Sequence, residues 1–173
     1  SALPAPTDSF LGRERDMAAV ASALGQSRVV TLCGPGGVGK TRLALEAAAH
    51  VGDRYRDGVR FCDLSALRRL TDVDRAVAAA VGVRERAFRR VTDQIIADLA
   101  SRRLLLVLDN CEHLAGTVGR LVERIVQHTT GVDVLATSRE RMGVGGEHIW
   151  SVEPLDATSA AGVFVDRARA VDP

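Results

Sequence analysis

Short apolar runs alternate with longer amphipathic stretches along most of this 173-residue chain. Val29 to Cys33 is continuously apolar but for Thr31 and rich in β-branched residues, the pattern of a strand buried on both faces. Val59 to Leu64, Leu104 to Leu108, Val132 to Thr137 and Ile149 to Val152 read as four more strands. Helical patterns lie between them. The first opens at Phe10-Leu11-Gly12-Arg13-Glu14-Arg15 and runs to about Leu24, and the next runs from Lys40 to about Val51. Asp72 to Val81 is alanine-rich, and Val91 to Ala100 sets Ile95, Ile96 and Leu99 on one face. Leu114 to Gln127 is amphipathic, and Thr158 to Ala170 closes the pattern. Strands separated by helices must pair in parallel, because a parallel return needs a long crossover. The predicted fold is a three-layer α/β sandwich on a mostly parallel five-stranded sheet.

Residues 1–9 carry two prolines and no periodicity, so they read as a linker, with one domain over residues 10–173. The start at Ser1-Ala2-Leu3 without Met leads us to expect a piece of a longer protein. Hydrophobic residues make up 46% of the chain, enough for a real core. The net charge of +1 gives no general pull toward nucleic acid or a membrane surface. Arg84 to Arg90 holds four arginines but also Glu85 and a single aromatic, Phe88. It reads as a solvated connection between helices, with nucleic-acid contact as the alternative. Cys33, Cys62 and Cys111 show no metal spacing, and each lies in or beside an apolar stretch. They read as small buried hydrophobes in a reducing, cytoplasmic setting. No two histidines stand four apart on a helix, so no metal site is assigned to them.

Of the 23 basic residues, 22 are arginine; the one lysine is Lys40. It sits in Gly34-Pro35-Gly36-Gly37-Val38-Gly39-Lys40-Thr41, a full match to G-x-x-x-x-G-K-[ST] between a predicted strand and a predicted helix. Glycines let backbone N–H groups turn inward around phosphates, and the helix start adds its positive dipole end. Lys40 bridges the outer phosphates and Thr41 offers a hydroxyl to magnesium. The candidate nucleotide-binding set is Gly34, Gly36, Gly37, Val38, Gly39, Lys40, Thr41 and Arg42.

The strand at Leu104 to Leu108 delivers Asp109 to its C-terminal end, where ligands bind in open α/β sheets. This is a Walker B pattern. Asp109, with Thr41, is the candidate magnesium holder, acting mostly through the ion's water. Motor ATPases often carry a water-activating Glu next; here the residue is Asn110, with Glu112 two further on. Glu112 is either a candidate general base or a solvated loop acid. Val134-Leu135-Ala136-Thr137-Ser138-Arg139 ends another strand on an arginine. Arg139 is either a reporter of the γ-phosphate or a surface residue paired with Glu140 or Glu147.

These segments run in order. They are Phe10-Leu11-Gly12-Arg13-Glu14, Gly34 to Thr41, Leu104 to Leu114, Ala136-Thr137-Ser138-Arg139-Glu140, Gly146-Glu147-His148-Ile149-Trp150 and Pro154-Leu155. Together the series resembles STAND-class, NB-ARC-like P-loop NTPase domains, nearest to those of large bacterial transcriptional regulators of the antibiotic regulatory protein and LuxR-type groups. The resemblance implies an ATP/ADP switch with slow hydrolysis rather than a motor, regulating a transcriptional activator. It implies that Leu11 and Arg13 lie against adenine and ribose, and that Arg139 is the sensor. It implies partnership with DNA-binding and sensor domains of the same polypeptide and ATP-dependent self-association. Neither nucleic acid nor membrane would touch this segment directly. No Gly-Leu-Pro-Leu segment and no winged-helix domain follow in the sequence, so it reads as the nucleotide-binding subdomain alone. The competing functions are a dedicated motor-type ATPase, a small-molecule kinase and an interaction scaffold that binds no nucleotide.

Overall fold

The computed structural model describes residues 3–4 and 12–154, so Leu11 and the helix expected at Thr158 to Ala170 lie outside the described residues. The chain order is α1 (Glu14–Ala23), β1 (Val29–Cys33), α2 (Lys40–Val51), β2 (Val59–Asp63), α3 (Val73–Val81), α4 (Val91–Leu99), β3 (Leu104–Asp109), α5 (Ala115–His128), β4 (Val132–Ser138) and β5 (His148–Ser151). The five strands form one sheet in the order β2-β3-β4-β1-β5, and every pairing is parallel. After β1 the chain crosses to the far edge and works back through β3 to β4. The carboxyl ends of β1, β4 and β3 thus lie side by side, where a doubly wound sheet opens its crevice.

Strand periodicity divides the core. Leu104, Leu106 and Leu108 of β3 face a cluster with Val77, Val81, Ile95, Leu99, Val118 and Ile125 from α3, α4 and α5. Leu105 and Val107 face the other way, onto Val20, Leu24, Leu43, Ala44, Ala47 and Ala48 from α1 and α2. All six β3 residues are buried, because helices cover both faces of a parallel sheet.

The first helix begins at Glu14 rather than at Phe10. Gly12 takes a left-handed φ of 78°, and Arg13 precedes the helix in a non-helical conformation, so neither extends the helix, and residues 10 and 11 lie outside the described residues. Cys62 and Cys111 are buried, while Cys33 is half-buried at the end of β1; all three are free thiols. In the Arg84–Arg90 connection, Phe88 is fully exposed with a φ of 65°. Gln94 holds this loop by donating to the carbonyls of Arg86 and Arg89 and accepting from the Arg86 amide. Among the described residues no helix is long and apolar enough to cross a membrane.

Candidate functional site

The loop after β1 needs glycine for two different reasons. A Cβ on Gly34 would fall 2.5 Å from the Val152 carbonyl oxygen, so only glycine lets the chain leaving β5 pass this close. Gly37 and Gly39 have φ of 80° and 90°, a region costly for side-chain-bearing residues. These turns bend the loop over the first turn of α2, whose N-cap is Gly39 with no side-chain cap and no acidic residue behind it. Among the described residues, then, no side chain caps the free N–H groups at this positive dipole end. Lys40 curls back over the loop and donates to the Gly34 and Pro35 carbonyls, both at 2.9 Å.

Thr41 and Asp109 lie 68 residues apart in sequence but meet here. The Thr41 hydroxyl sits 2.8 and 3.0 Å from the two carboxylate oxygens of Asp109. Asp109 Oδ1 also accepts the Thr137 hydroxyl at 2.5 Å, and Oδ2 accepts Asn110 Nδ2 at 2.9 Å. Asp109 is 3% exposed. Burial raises its pKa above the ordinary carboxylate range, and nearby Asp63 raises it further, while the Thr137 and Thr41 hydroxyls pull it down. No basic side chain is hydrogen-bonded to Asp109 among the described residues.

The donor set fits magnesium: a carboxylate and a hydroxyl, hard oxygens only, on a P-loop that leaves other positions to phosphate and water. Among the described residues no group of three or more His, Cys, Asp or Glu is arranged for a metal, so a closed all-protein cage is not formed. Magnesium bound through one carboxylate plus phosphate oxygens needs no such cage.

Arg139 follows β4 and reaches over the loop. Its Nη2 lies 3.5 Å from where a Gly36 Cβ would stand, and its Nε is 3.4 Å from Glu112 Oε1. The partner is therefore Glu112, not Glu140 or Glu147; Glu147 instead accepts the Met142 and Gly143 amides. The Arg139 side chain is 67% exposed, whereas Glu112 is 26% exposed with its second oxygen buried and without a partner. Two candidate residues thus face each other at the rim.

Arg13 is buried against the back of the loop. Its Nη2 donates to the Val38 and Glu153 carbonyls at 2.6 and 2.8 Å, and its Nη1 pairs with Asp16 at 2.8 Å. It ties the P-loop to α1 and to the chain leaving β5. Arg42, on α2, pairs with Glu46 one turn on.

Three contributors escaped the sequence reading. Thr137 serves as a direct partner of Asp109, Asn110 as a bridge, and Asp63 as its far anchor. Asp63 had a signal: like Asp109, it ends an apolar strand run.

Residues 23–140 match the AAA domain family. A Mycobacterium tuberculosis protein, a proposed HTH-type transcriptional regulator, is 42% identical over 151 residues, covering 87% of this chain and 17% of that protein. The Streptomyces coelicolor regulatory protein AfsR is 30% identical over 188 residues, covering 94% of this chain and 18% of AfsR. The chain thus spans less than a fifth of the length of these relatives. The fold is shared with a STAND protein of Pyrococcus horikoshii that carries a tetratricopeptide repeat sensor. The TM-score is 0.65 at 16% identity, over 98% of this chain and 27% of that one. With the G-x-x-x-x-G-K-[ST] loop in place and the family match spanning most of its length, this chain belongs to the AAA domain family of P-loop NTPases.

Proposed function

We propose that the chain is the nucleotide-binding switch module of a larger transcriptional regulator, taking ATP or ADP with magnesium and hydrolysing ATP slowly. The observation that carries this reading is the meeting of Thr41 with Asp109 beneath the lone lysine of the P-loop. Bound magnesium would supply counter-charge to the phosphate oxygens. Lys40 exchanges the Gly34 and Pro35 carbonyls for phosphate oxygens, a charge-assisted bond in place of two neutral ones. Thr41 and Asp109 are the residues that would hold the metal. The glycines and the α2 start would hold the inner phosphates, with Val38 and Arg42 lining the loop, and adenine and ribose would lie on the Arg13 side.

Slow hydrolysis follows from what stands after Asp109. Asn110 cannot take a proton from water, and Glu112, the candidate general base, is held by Arg139 at 3.4 Å. Arg139 therefore has two anions to choose between, Glu112 and a γ-phosphate over Gly36. The same arrangement disfavours a motor, and an intact P-loop disfavours a scaffold without nucleotide. Partners are the other domains of the same polypeptide, consistent with relatives more than five times the chain's length.

Calorimetric titration of ADP, ATP and a non-hydrolysable ATP analogue, with and without magnesium, tests the reading. The expected result is affinity in the micromolar range, about −8 kcal/mol, with ATP turnover far below about 1 per second. Absence of binding overturns the proposal, and turnover of tens per second converts it to the motor reading.

A further inference from the structure

Asp63 ends β2 directly beside Asp109, its register partner at the end of β3. Two neighbouring carboxylates repel unless something separates them. The separator is the Asn110 side-chain amide, whose Nδ2 donates to Asp109 Oδ2 at 2.9 Å and to Asp63 Oδ1 at 3.0 Å. Both hydrogens of the amide are used. Asn110 reaches this place because its backbone is left-handed, φ 61°, a conformation that asparagine tolerates better than most residues. Asp63 is itself fixed, accepting the Ser65 amide at 2.9 Å on one oxygen and the Ser65 hydroxyl at 3.0 Å on the other.

An amide has two ends, and only one can face a carboxylate. Asp63 accepts and never donates when ionised, so a flipped Asn110 would aim its oxygen at an anion. Asp109 makes the same demand, so the two carboxylates together fix which end of Asn110 lies between them, and Asp63 anchors that amide from the far side. Across the carboxylate, the Thr137 hydroxyl holds Oδ1. With Thr137 on one oxygen and Asn110 on the other, a torsion that is otherwise broad and two-fold is held in one position. The lone pairs left over are those facing Thr41.

We propose that Asp63 is a positioning residue of the nucleotide site, fixing through Asn110 the rotation in which Asp109 receives magnesium. The inference rests on the nucleotide-binding reading above. It assigns Asp63 no contact with nucleotide or metal, only control over a group that has one.

The test is magnesium titration at fixed ADP on the protein, comparing wild type with Asp63→Ala and Asp63→Asn. Magnesium-free ADP affinity is measured alongside. Outer partners of metal ligands commonly contribute about tenfold or more to metal affinity. Asp63→Ala is expected to raise the half-saturating magnesium concentration about tenfold while magnesium-free ADP affinity changes less than about twofold. Asp63→Asn keeps the size but can donate as well as accept, so it should fall between. Asn110→Ala should match Asp63→Ala, and the double variant should be no worse than the poorer single one. Asp63 is exposed, so its truncation opens no cavity, and the Asn variant carries the same test should the Ala variant not fold. An unchanged magnesium midpoint, equal losses with and without magnesium, or additive single effects would each overturn the role. If wild type itself bound no nucleotide, the underlying reading would be what failed, and this role with it. If wild type responds to magnesium and Asp63→Ala responds identically, the Asp63 role alone has failed.

Discussion

The two ends of the sheet are both polar, yet they are wired in opposite ways. At the amino end, Arg28 enters β1 and donates to the Val126 and Thr129 carbonyls at 2.7 and 2.6 Å, to the Thr129 hydroxyl at 3.0 Å and to the Val132 carbonyl at 2.5 Å. Its Nε stands 3.6 Å from Asp133, whose other oxygen accepts the Tyr55 hydroxyl at 2.9 Å. At the carboxyl end, Asp109 is surrounded by hydroxyls and an amide, while Lys40 is bonded to carbonyls. Burial raises both Asp109 and Asp133. Asp133 is pulled back by Tyr55 and by the Arg28 cation, Asp109 by neutral donors only, the Thr137 and Thr41 hydroxyls and the Asn110 backbone amide. Where the protein needs only to stay folded, charge meets charge. Where we propose that phosphate and metal bind, Lys40 and Asp109 rest on neutral groups that release them at small cost.

The comparison is broken most sharply by two truncations that should fail in different currencies. Lys40→Ala should cost at least about a hundredfold in nucleotide affinity, the worth of one or two charge-assisted phosphate bonds at 1.5–3 kcal/mol each. Its melting temperature should stay close to wild type, because Lys40 serves no core contact. Wild-type affinity in that variant would remove the P-loop from the mechanism. Arg28→Ala should do the reverse, lowering unfolding free energy by about 2–3 kcal/mol as the carbonyls at the α5 terminus lose their donor. Denaturant unfolding reads that loss, and ADP affinity should be unchanged. A large affinity loss there would mean that the two ends are coupled.

Titration separates the ends more finely. For Asp109 and Asp133 the folded pKa is raised, so their contribution to stability is complete below the unfolded value of about 3.9 and is lost as pH rises through the folded value. A cation on Asp109 reverses the sense at that end only, because metal favours the ionised carboxylate. The rise in melting temperature caused by magnesium nucleotide should therefore be larger at pH 7 than at pH 4.5. Part of that difference comes from the ligand's own phosphates, and Asp109→Asn isolates it, since the variant keeps the phosphate part and loses the rest. Identical pH dependence in wild type and variant would show that Asp109 does not take the metal.

What the sequence disclosed follows the same division. β3 and the P-loop were legible because each is written locally, as six consecutive buried residues and as glycines at fixed spacing. The parallel sheet followed from helices between strands. Arg28 went unremarked because its partners lie about a hundred residues away, where only the β1–β4 pairing brings them. The Asp63–Asn110–Asp109 chain was hidden for the same reason, since it depends on strand register, which no local pattern encodes. Arg13 shows how a long side chain escapes prediction. The resemblance implied a place against adenine and ribose, and no local pattern showed that its guanidinium holds Val38 and Glu153 together. The start of α1 was placed too early because Gly12 and Arg13 share the helical pattern, while the left-handed Gly12 and the non-helical Arg13 stand outside the helix.

Arg139 is where the comparison is least sharp, because here charge does meet charge at the carboxyl end. Its bond to Glu112 is long, 3.4 Å, and the guanidinium is 67% exposed, so the pair contributes at most about 1 kcal/mol. A γ-phosphate over Gly36, as proposed, would be a stronger competitor, since it would carry more charge and the Arg139 Nη2 already approaches that part of the loop. The gain on switching is the difference between a charge-assisted bond of about 1.5–3 kcal/mol and the pair given up. Arg139→Ala should therefore lower the ATP-to-ADP affinity ratio by about two- to thirtyfold, with ADP affinity itself nearly unchanged. Glu112→Gln should move the ratio the other way by about two- to threefold, because it frees Arg139 without removing it. Titration of ADP, ATP and a non-hydrolysable analogue into both variants reads the two shifts. A surface ion pair unrelated to the ligand predicts no change in either ratio. A γ-phosphate that reaches Arg139 only by pulling it from Glu112 predicts shifts of opposite sign, and opposite sign is what sequestration of the candidate base requires.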